Sequence, residues 1–224
     1  MIDRLADEIE FLGTGRKSRQ LYLTAHGQSP AKRDRVQTYW HARVNALYAP
    51  GGKGIFVTSR EAELDAALGG LGVVFTKHEH EAVFTVGESE ALHQVIAGAH
   101  TKNLFLKDEA GAFFLVTIPA DARANLKALP AVLGSRRLSF GKAEDMERLL
   151  GITPGSVTPL AAFNDAGRVV TVALDAALAA AETVNVHPLR NTATVGMSGP
   201  DLVRALEAWG HALIIAHIPI LEEK

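Results

Sequence analysis

The chain has 224 residues, 47% of them apolar, a formal charge of −2 at pH 7 and no cysteine. Such a composition can fill a core and excludes disulfide frameworks, thiolate nucleophiles and cysteine-based zinc or iron–sulfur centres. No run of about 18 apolar residues offers a membrane span, and Asp3, Asp7 and Glu8 precede any signal-like stretch, so a cytoplasmic location is expected. Charge is uneven: residues 1–57 carry a net +4 and the rest of the chain a net −6. Contact with nucleic acid would then rest on a local basic patch, Arg136-Arg137 or the N-terminal basic run.

In chain order, Ile2, Leu5, Ile9 and Leu12 recur at helical spacing. A second helix is expected from Pro30 to Leu47, capped by Ser29, with Lys32, Arg33 and Arg35 on a solvated face or against RNA. Pro50-Gly51-Gly52-Lys53-Gly54 reads as a linker. It divides an N-terminal extension, residues 1–57, from a main domain, residues 58–224. In that domain a helix from Ser59 ends at Gly69-Gly70, extended runs follow at 73–76 and 82–85, and a helix covers about 88–97. Leu104–Leu106 and Ala112–Ile118 form a hairpin about the turn 108–111. The apolar run Phe113-Phe114-Leu115-Val116 suits a strand covered on both faces. A short helix is expected at 121–129, a strand at 137–140 and a helix at 142–150. A second hairpin joins 160–163 to 169–174, then come strands at 183–187 and 192–195, a helix at 199–209 capped by Ser198, and a strand at 212–217. The pattern predicts an α+β fold: a mixed, mostly antiparallel sheet with packed helices.

Three polar clusters stand out on these apolar elements. Lys102 and Asn103 open a hydrophobic strand, where an ammonium could neutralise a phosphate or polarise an ester carbonyl. The alternative is a water-facing lysine beside a turn-forming asparagine. Gly155-Ser156-Val157-Thr158-Pro159 is a stiff turn suited to binding through its backbone; it has neither the phosphate-loop ending nor the dinucleotide spacing. In Asn185-Val186-His187-Pro188, proline holds His187 extended. Alternation then sets Asn185 and His187 on one face, where a neutral imidazole could bond a substrate amine or hydroxyl, or tie down a loop. His78-Glu79-His80-Glu81 lacks zincin spacing, and His211 and His217 read as groups at strand ends. No metal or other cofactor is expected.

Together these segments (Lys102-Asn103-Leu104-Phe105-Leu106, Leu138-Ser139-Phe140, Leu150-Gly151-x-x-Pro154 through Pro159, and Asn185-Val186-His187-Pro188-Leu189-x-Asn191-Thr192-Ala193-Thr194) resemble the free-standing prolyl-tRNA editing domain family, related to the insertion domain of bacterial prolyl-tRNA synthetases. The resemblance spans roughly residues 58–218. It implies a deacylase acting in trans on mischarged tRNA(Pro), with the acceptor end as its partner and prolyl-tRNA synthetase or an elongation factor as further partners. The Lys102-Asn103 pair resembles the branch that clears alanine; the branch that clears cysteine generally lacks the asparagine. By that resemblance Lys102 holds the terminal adenosine or its phosphate, Asn103 shapes the amino-acid pocket and His187 lines it. The loop of Gly155, Ser156, Val157, Thr158 and Pro159 packs around the ester and ribose, with Asn191 beside it. Phe84, Phe105 and Val157 are expected as walls that admit alanine and exclude proline. The competing readings are a deacylase for Cys-tRNA(Pro) or another mischarged tRNA, a non-catalytic aminoacyl-tRNA binding module, and a small-ester hydrolase.

Overall fold

The computed structural model describes residues 21–22, 59–82 and 95–221. The helices expected before residue 48, the boundary at 50–57, Phe84 and most of the segments expected over 82–85 and 88–97 lie outside the described residues. In chain order the elements are β1 (Leu21–Tyr22), α1 (Ser59–Gly70), β2 (Phe75–Glu79), β3 (Ala99–Asp108), β4 (Phe113–Pro119), α2 (Leu129–Leu133) and β5 (Leu138–Phe140). Next come α3 (Ala143–Leu150), a 3-10 helix (Pro159–Asn164), β6 (Val170–Asp175), α4 (Ala176–Ala179), β7 (Val184–Val186), β8 (Ala193–Met197), α5 (Gly199–Ala208) and β9 (Leu213–Ala216).

The strands make one mixed sheet in the order β1-β2-β8-β7-β3-β4-β6-β9, with β5 also paired to β3. Five ladders are antiparallel, and β3–β7, β4–β6 and β6–β9 are parallel. This is the expected α+β architecture. Period-two alternation in β3 sends Phe105 to one face, against Phe113, Leu115, Met146 and Leu150, and Leu104 and Leu106 to the other, against Val116, Ile118 and Leu129. Residues 113–118 of β4 are all buried, as a strand covered on both faces requires. A third cluster packs Leu202 and Leu206 of α5 and Leu64 and Leu68 of α1 onto Val184, Val195 and Met197. Each such leucine contributes about 1.5–3 kcal/mol of burial. The turn after β3 is fixed by Asp108, whose Oδ1 accepts from the Ala110 and Ala112 amides at 2.8 and 2.9 Å.

Two expected segments differ. The helix expected at 121–129 lies at Leu129–Leu133, because Pro130 occupies its first turn and Asn125 Oδ1 instead accepts from the Lys127 and Ala128 amides, closing a turn. The hairpin expected across 160–174 does not form. Pro159 opens a 3-10 helix whose start is capped by the Thr158 hydroxyl, and β6 pairs in parallel with β4 and β9 instead.

Candidate active site

One edge of β3 is taken up by β4 over residues 101–107. The other edge is shared: β7 pairs with Ala99 and His100, and β5 pairs with residues 106–108, extended by the Gly141 amide on Phe105 O. Between these ladders residues 101–104 have an open edge among the described residues, and β3 and β7 part. Parallel strands that separate at their carboxyl ends leave a crevice of the kind ligands use in α/β sheets.

Four expected segments meet around this crevice. Thr101 Oγ1 donates to Asn185 O at 2.8 Å where the strands separate. His100 and Asn185 are partners in the ladder, and their side chains meet at 3.5 Å. Lys102 lies two positions further along β3, on the side of the sheet that His100 occupies; His187 follows the last residue of β7 and neighbours His80. Lys102 is exposed, and its ammonium donates to Ala122 O at 3.0 Å. Asn103 faces the opposite way, and its amide is fully engaged within the protein. Nδ2 donates to Val157 O at 3.0 Å, while Oδ1 accepts from the Thr117 hydroxyl at 2.8 Å. Asn103 thus ties the glycine–proline loop to β3 and β4.

In that loop Gly155 has φ +92°, a conformation glycine adopts without strain. The Ser156 amide donates to Thr153 O at 3.1 Å; the Gly155, Val157 and Thr158 amides donate to no described residue. Ser156, Thr158 and Pro159 are buried, whereas Gly155 is exposed and Val157 half-buried. Asn191 comes up against the loop, with Nδ2 3.7 Å from where a Cβ on Gly155 would stand.

His187 is half-buried, and Nδ1 lies 3.0 Å from Ala193 O. A carbonyl can only accept, so in the neutral ring Nδ1 carries the proton and Nε2 keeps its lone pair. Burial pushes the ring below its ordinary value of 6.5, the Ala193 carbonyl opposes that, and the neighbouring His80 ring adds to it. The imidazole is therefore neutral near pH 7, an acceptor at Nε2.

The sequence reading passed over Arg190, in the same loop. Its guanidinium donates to Glu61 (Nε to Oε2, 2.7 Å) on α1 and to Glu79 (2.7 and 2.9 Å) on β2, and also to Thr192 Oγ1 at 2.7 Å. Although burial opposes its charge, these bonds hold the guanidinium above its already high ordinary value. Lys77 completes the network through Glu61 and Asp65. Arginine's planar fork could have drawn attention to this position; its carboxylate partners are far away in sequence.

Phe105, expected as a pocket wall, is instead a core side chain. It is 3% exposed, stacked on Phe113 at 5.5 Å and close enough to Gly141 to leave no room for a Cβ there. His78 on β2 and His80 just past its end are half-buried, and His80 Nε2 lies 2.9 Å from Thr194 Oγ1. Among the described residues no group of three or more His, Asp or Glu side chains is placed to hold a metal ion. His211 is buried between the Ala162 and Val170 carbonyls. It lines a shallow hollow of about 210 Å³ with Phe163, Arg168 and Trp209, at the end of the sheet where β6 begins. The β3 position at that level is Lys107, five residues from Lys102 and roughly 16 Å away at strand rise. The hollow is therefore separate from the crevice. No helix among the described residues is long and apolar enough to cross a membrane.

Residues 80–205, which include the whole crevice, match the family described as aminoacyl-tRNA editing domain. The prolyl-tRNA synthetase associated domain-containing protein 1 of Danio rerio is 36% identical over 174 residues, covering 77% of this chain and 95% of that protein. The prolyl-tRNA editing protein ProX of Acetoanaerobium sticklandii is 35% identical over 147 residues, 65% of this chain and 90% of its own. A crystal structure described as a candidate trans-editing enzyme for prolyl-tRNA synthetase shares the fold, with TM-score 0.56 and 19% identity over 75% of this chain and 100% of that one. With the family match extending over more than half its length, this chain belongs to the aminoacyl-tRNA editing domain family.

Proposed function

We propose that the protein is a trans-acting deacylase that hydrolyses the ester of mischarged tRNA(Pro), with Ala-tRNA(Pro) as its main substrate and Pro-tRNA(Pro) spared. What supports this reading is the open edge of β3 at residues 101–104, with Lys102 on one face of the sheet, the 155–159 loop bound to Asn103 on the other and His187 just past the end of β7. In this reading a 3′-terminal adenosine carrying an amino acid enters the crevice. Its phosphate would meet an exposed ammonium that, among the described residues, is held by one carbonyl.

In this reading water adds to the ester carbonyl carbon, and the negative charge on the carbonyl oxygen is met by loop amides with no partner among the described residues. The carbon–oxygen bond to the ribose then breaks, the ribose oxygen takes a proton, and free alanine leaves. His187 Nε2, a lone pair at neutral pH, accepts a hydrogen bond from the substrate's amine or hydroxyl, or from the water. Catalysis here comes from placement and preorganised donors, with no covalent protein intermediate. Val157, half-buried above the Asn103 tie, is the wall that admits a methyl group and meets the proline ring. Exclusion by overlap discriminates more sharply than the about 1–3 kcal/mol that a missing methylene provides. Outside the crevice, residues 120–142 carry Arg123, Lys127, Arg136, Arg137 and Lys142 against the single acid Asp121. All five basic residues are exposed, and the cover segment that carries Arg123 and Lys127 packs on the Lys102 side of β3. Here an otherwise acidic domain can meet the acceptor-stem phosphates.

The test is deacylation of Ala-, Cys-, Ser- and Pro-tRNA(Pro) in parallel, with and without a chelator. Hydrolysis of Ala-tRNA(Pro) that a chelator leaves intact, with Pro-tRNA(Pro) spared, is the expected result. Equal turnover of Pro-tRNA(Pro) overturns the exclusion argument, and binding without hydrolysis of any ester overturns the deacylase.

A further inference from the structure

We infer that Arg190 is a positioning residue for the reaction: by clamping two carboxylates from separate elements it fixes the loop that carries His187 and touches the glycine–proline turn. The inference rests on the deacylase reading and names a residue that neither the motif nor the resemblance assigns.

The loop between β7 and β8 has little secondary structure to hold it. Leu189 sits in the left-handed region at φ +68°, a conformation a branched side chain keeps only when its surroundings impose it. It packs against two of the three core clusters at once. Next to it Arg190 makes two forked contacts, Nε and Nη2 on Glu61 at 2.7 and 3.2 Å, Nη1 and Nη2 on Glu79 at 2.9 and 2.7 Å. Its Nη1 also reaches Thr192 Oγ1 at 2.7 Å, and the Thr192 carbonyl accepts from the His80 amide at 3.0 Å. Glu61 is fully buried on α1, and Glu79 is on β2. The arginine therefore refers the loop to two rigid elements. A planar fork imposes orientation as well as attraction, which a single ammonium cannot do. The residues on both sides of it are held in place: His187 by its bond to Ala193 O, and Asn191 against Gly155 of the glycine–proline turn. Surface solubility does not account for so heavily bonded a side chain, and a stability role alone would leave its place in this short loop without consequence.

The experiment compares full-length wild type with Arg190→Lys, Arg190→Met and Glu79→Gln. Single-turnover deacylation of Ala-tRNA(Pro), tRNA affinity, melting temperature and the ring ¹⁵N shifts of His187 are measured on each. Arg190→Met is expected to lower the single-turnover rate constant at least tenfold with tRNA affinity within about twofold, and to change the His187 ring shifts as the Nδ1–Ala193 bond loosens. Arg190→Lys and Glu79→Gln, which keep part of the clamp, should fall between it and wild type. If Arg190→Met does not fold, those two variants decide. Folded variants with wild-type rate constants and unchanged His187 shifts overturn the inference, as does a rate loss fully accounted for by the unfolded fraction. A wild-type protein that hydrolyses no ester would refute the functional reading alone, while the His187 shifts would still report on the clamp.

Discussion

Replacing Asn103 with alanine separates two roles for this residue. If its amide holds the glycine–proline loop, the variant loses a donor to Val157 O at 3.0 Å and an acceptor for the Thr117 hydroxyl at 2.8 Å. Thr117 is fully buried, so its hydroxyl is left without a partner in a place water does not reach. An orphaned buried group costs about 1–3 kcal/mol, and two lost bonds of this type together cost roughly 2–4 kcal/mol. For a domain of this size that lowers Tm by about 2–4 °C per kcal/mol, on the order of 10 °C in all. The Val157 carbonyl would also lose its fixed bearing, and with it the loop amides, so the rate on Ala-tRNA(Pro) should fall by roughly 10–100-fold, as when a positioning contact is lost. Asn103→Asp is the sharper variant. It keeps the shape and the bond from Thr117, but sets a carboxylate oxygen against Val157 O, and should be at least as damaging as alanine. Differential scanning fluorimetry and single-turnover deacylation of Ala- and Pro-tRNA(Pro) measure both effects. A variant of wild-type stability that had gained activity on Pro-tRNA(Pro) would refute the tie and return Asn103 to lining the amino-acid pocket.

Lys102→Ala removes an exposed ammonium whose one bond among the described residues is to Ala122 O; stability should change by less than about 0.5 kcal/mol, while deacylation falls by roughly 10²–10³-fold as a lost electrostatic donor does. Activity should rise with pH through a value below 6.5, because burial first and His80 second depress His187. The neutral ring is complete above the ordinary value, and its contribution is lost as pH falls below it. His80→Gln should move that acid limb toward 6.5, and an unmoved limb in the pH–rate profile would exclude the coupling. Asp65 behaves in the opposite sense. Burial raises it above its ordinary value of 3.8 against the pull of Lys77, and its Oδ1 has no partner among the described residues. The folded state therefore holds the proton more tightly, and this contribution to stability fades as pH rises from 3.8 through the raised value. Asp65→Asn should equal or exceed wild-type stability at pH 7 in a denaturant titration. Glu61→Gln, which takes a charge from both Lys77 and Arg190, should cost about 3–5 kcal/mol.

Much of this fold is written in local patterns. The apolar run of β4, the Asp108 turn, the Ser198 cap of α5 and the glycine after α3 each depend on neighbours a few residues away. They fall where periodicity and turn chemistry put them. The hairpin expected at 160–174 shows where local reasoning stops. Asn164-Asp165-Ala166-Gly167 has good turn chemistry, but β6 finds its hydrogen bonds on β4 and β9. Asp165 serves instead to accept the Val170 amide at 2.7 Å. Turn residues permit a hairpin; the partner a strand prefers is decided by the sheet. The same holds for α2, where a proline nine residues downstream of the expected start outweighs the weaker helical pattern before it.

The site divides along the same line. Lys102, His187 and the 155–159 loop could be picked out because each is a short polar motif on an apolar element. Their direction could not, since it follows from pleat and register: Asn103, adjacent to Lys102, looks to the other face and spends its amide on the loop. Phe105 looked like a wall because it follows the motif at alternate spacing, yet that alternation carries it into the core under α3. Arg190 was passed over because its partners lie up to 129 residues away, and nothing near it in sequence hints at a paired carboxylate. A motif identifies groups that can do chemistry, whereas the parts that hold them in position are contributed by distant elements and become visible only in the folded chain. The crevice itself belongs to that second class, since it exists because β7 and β5 share one edge of β3 without meeting.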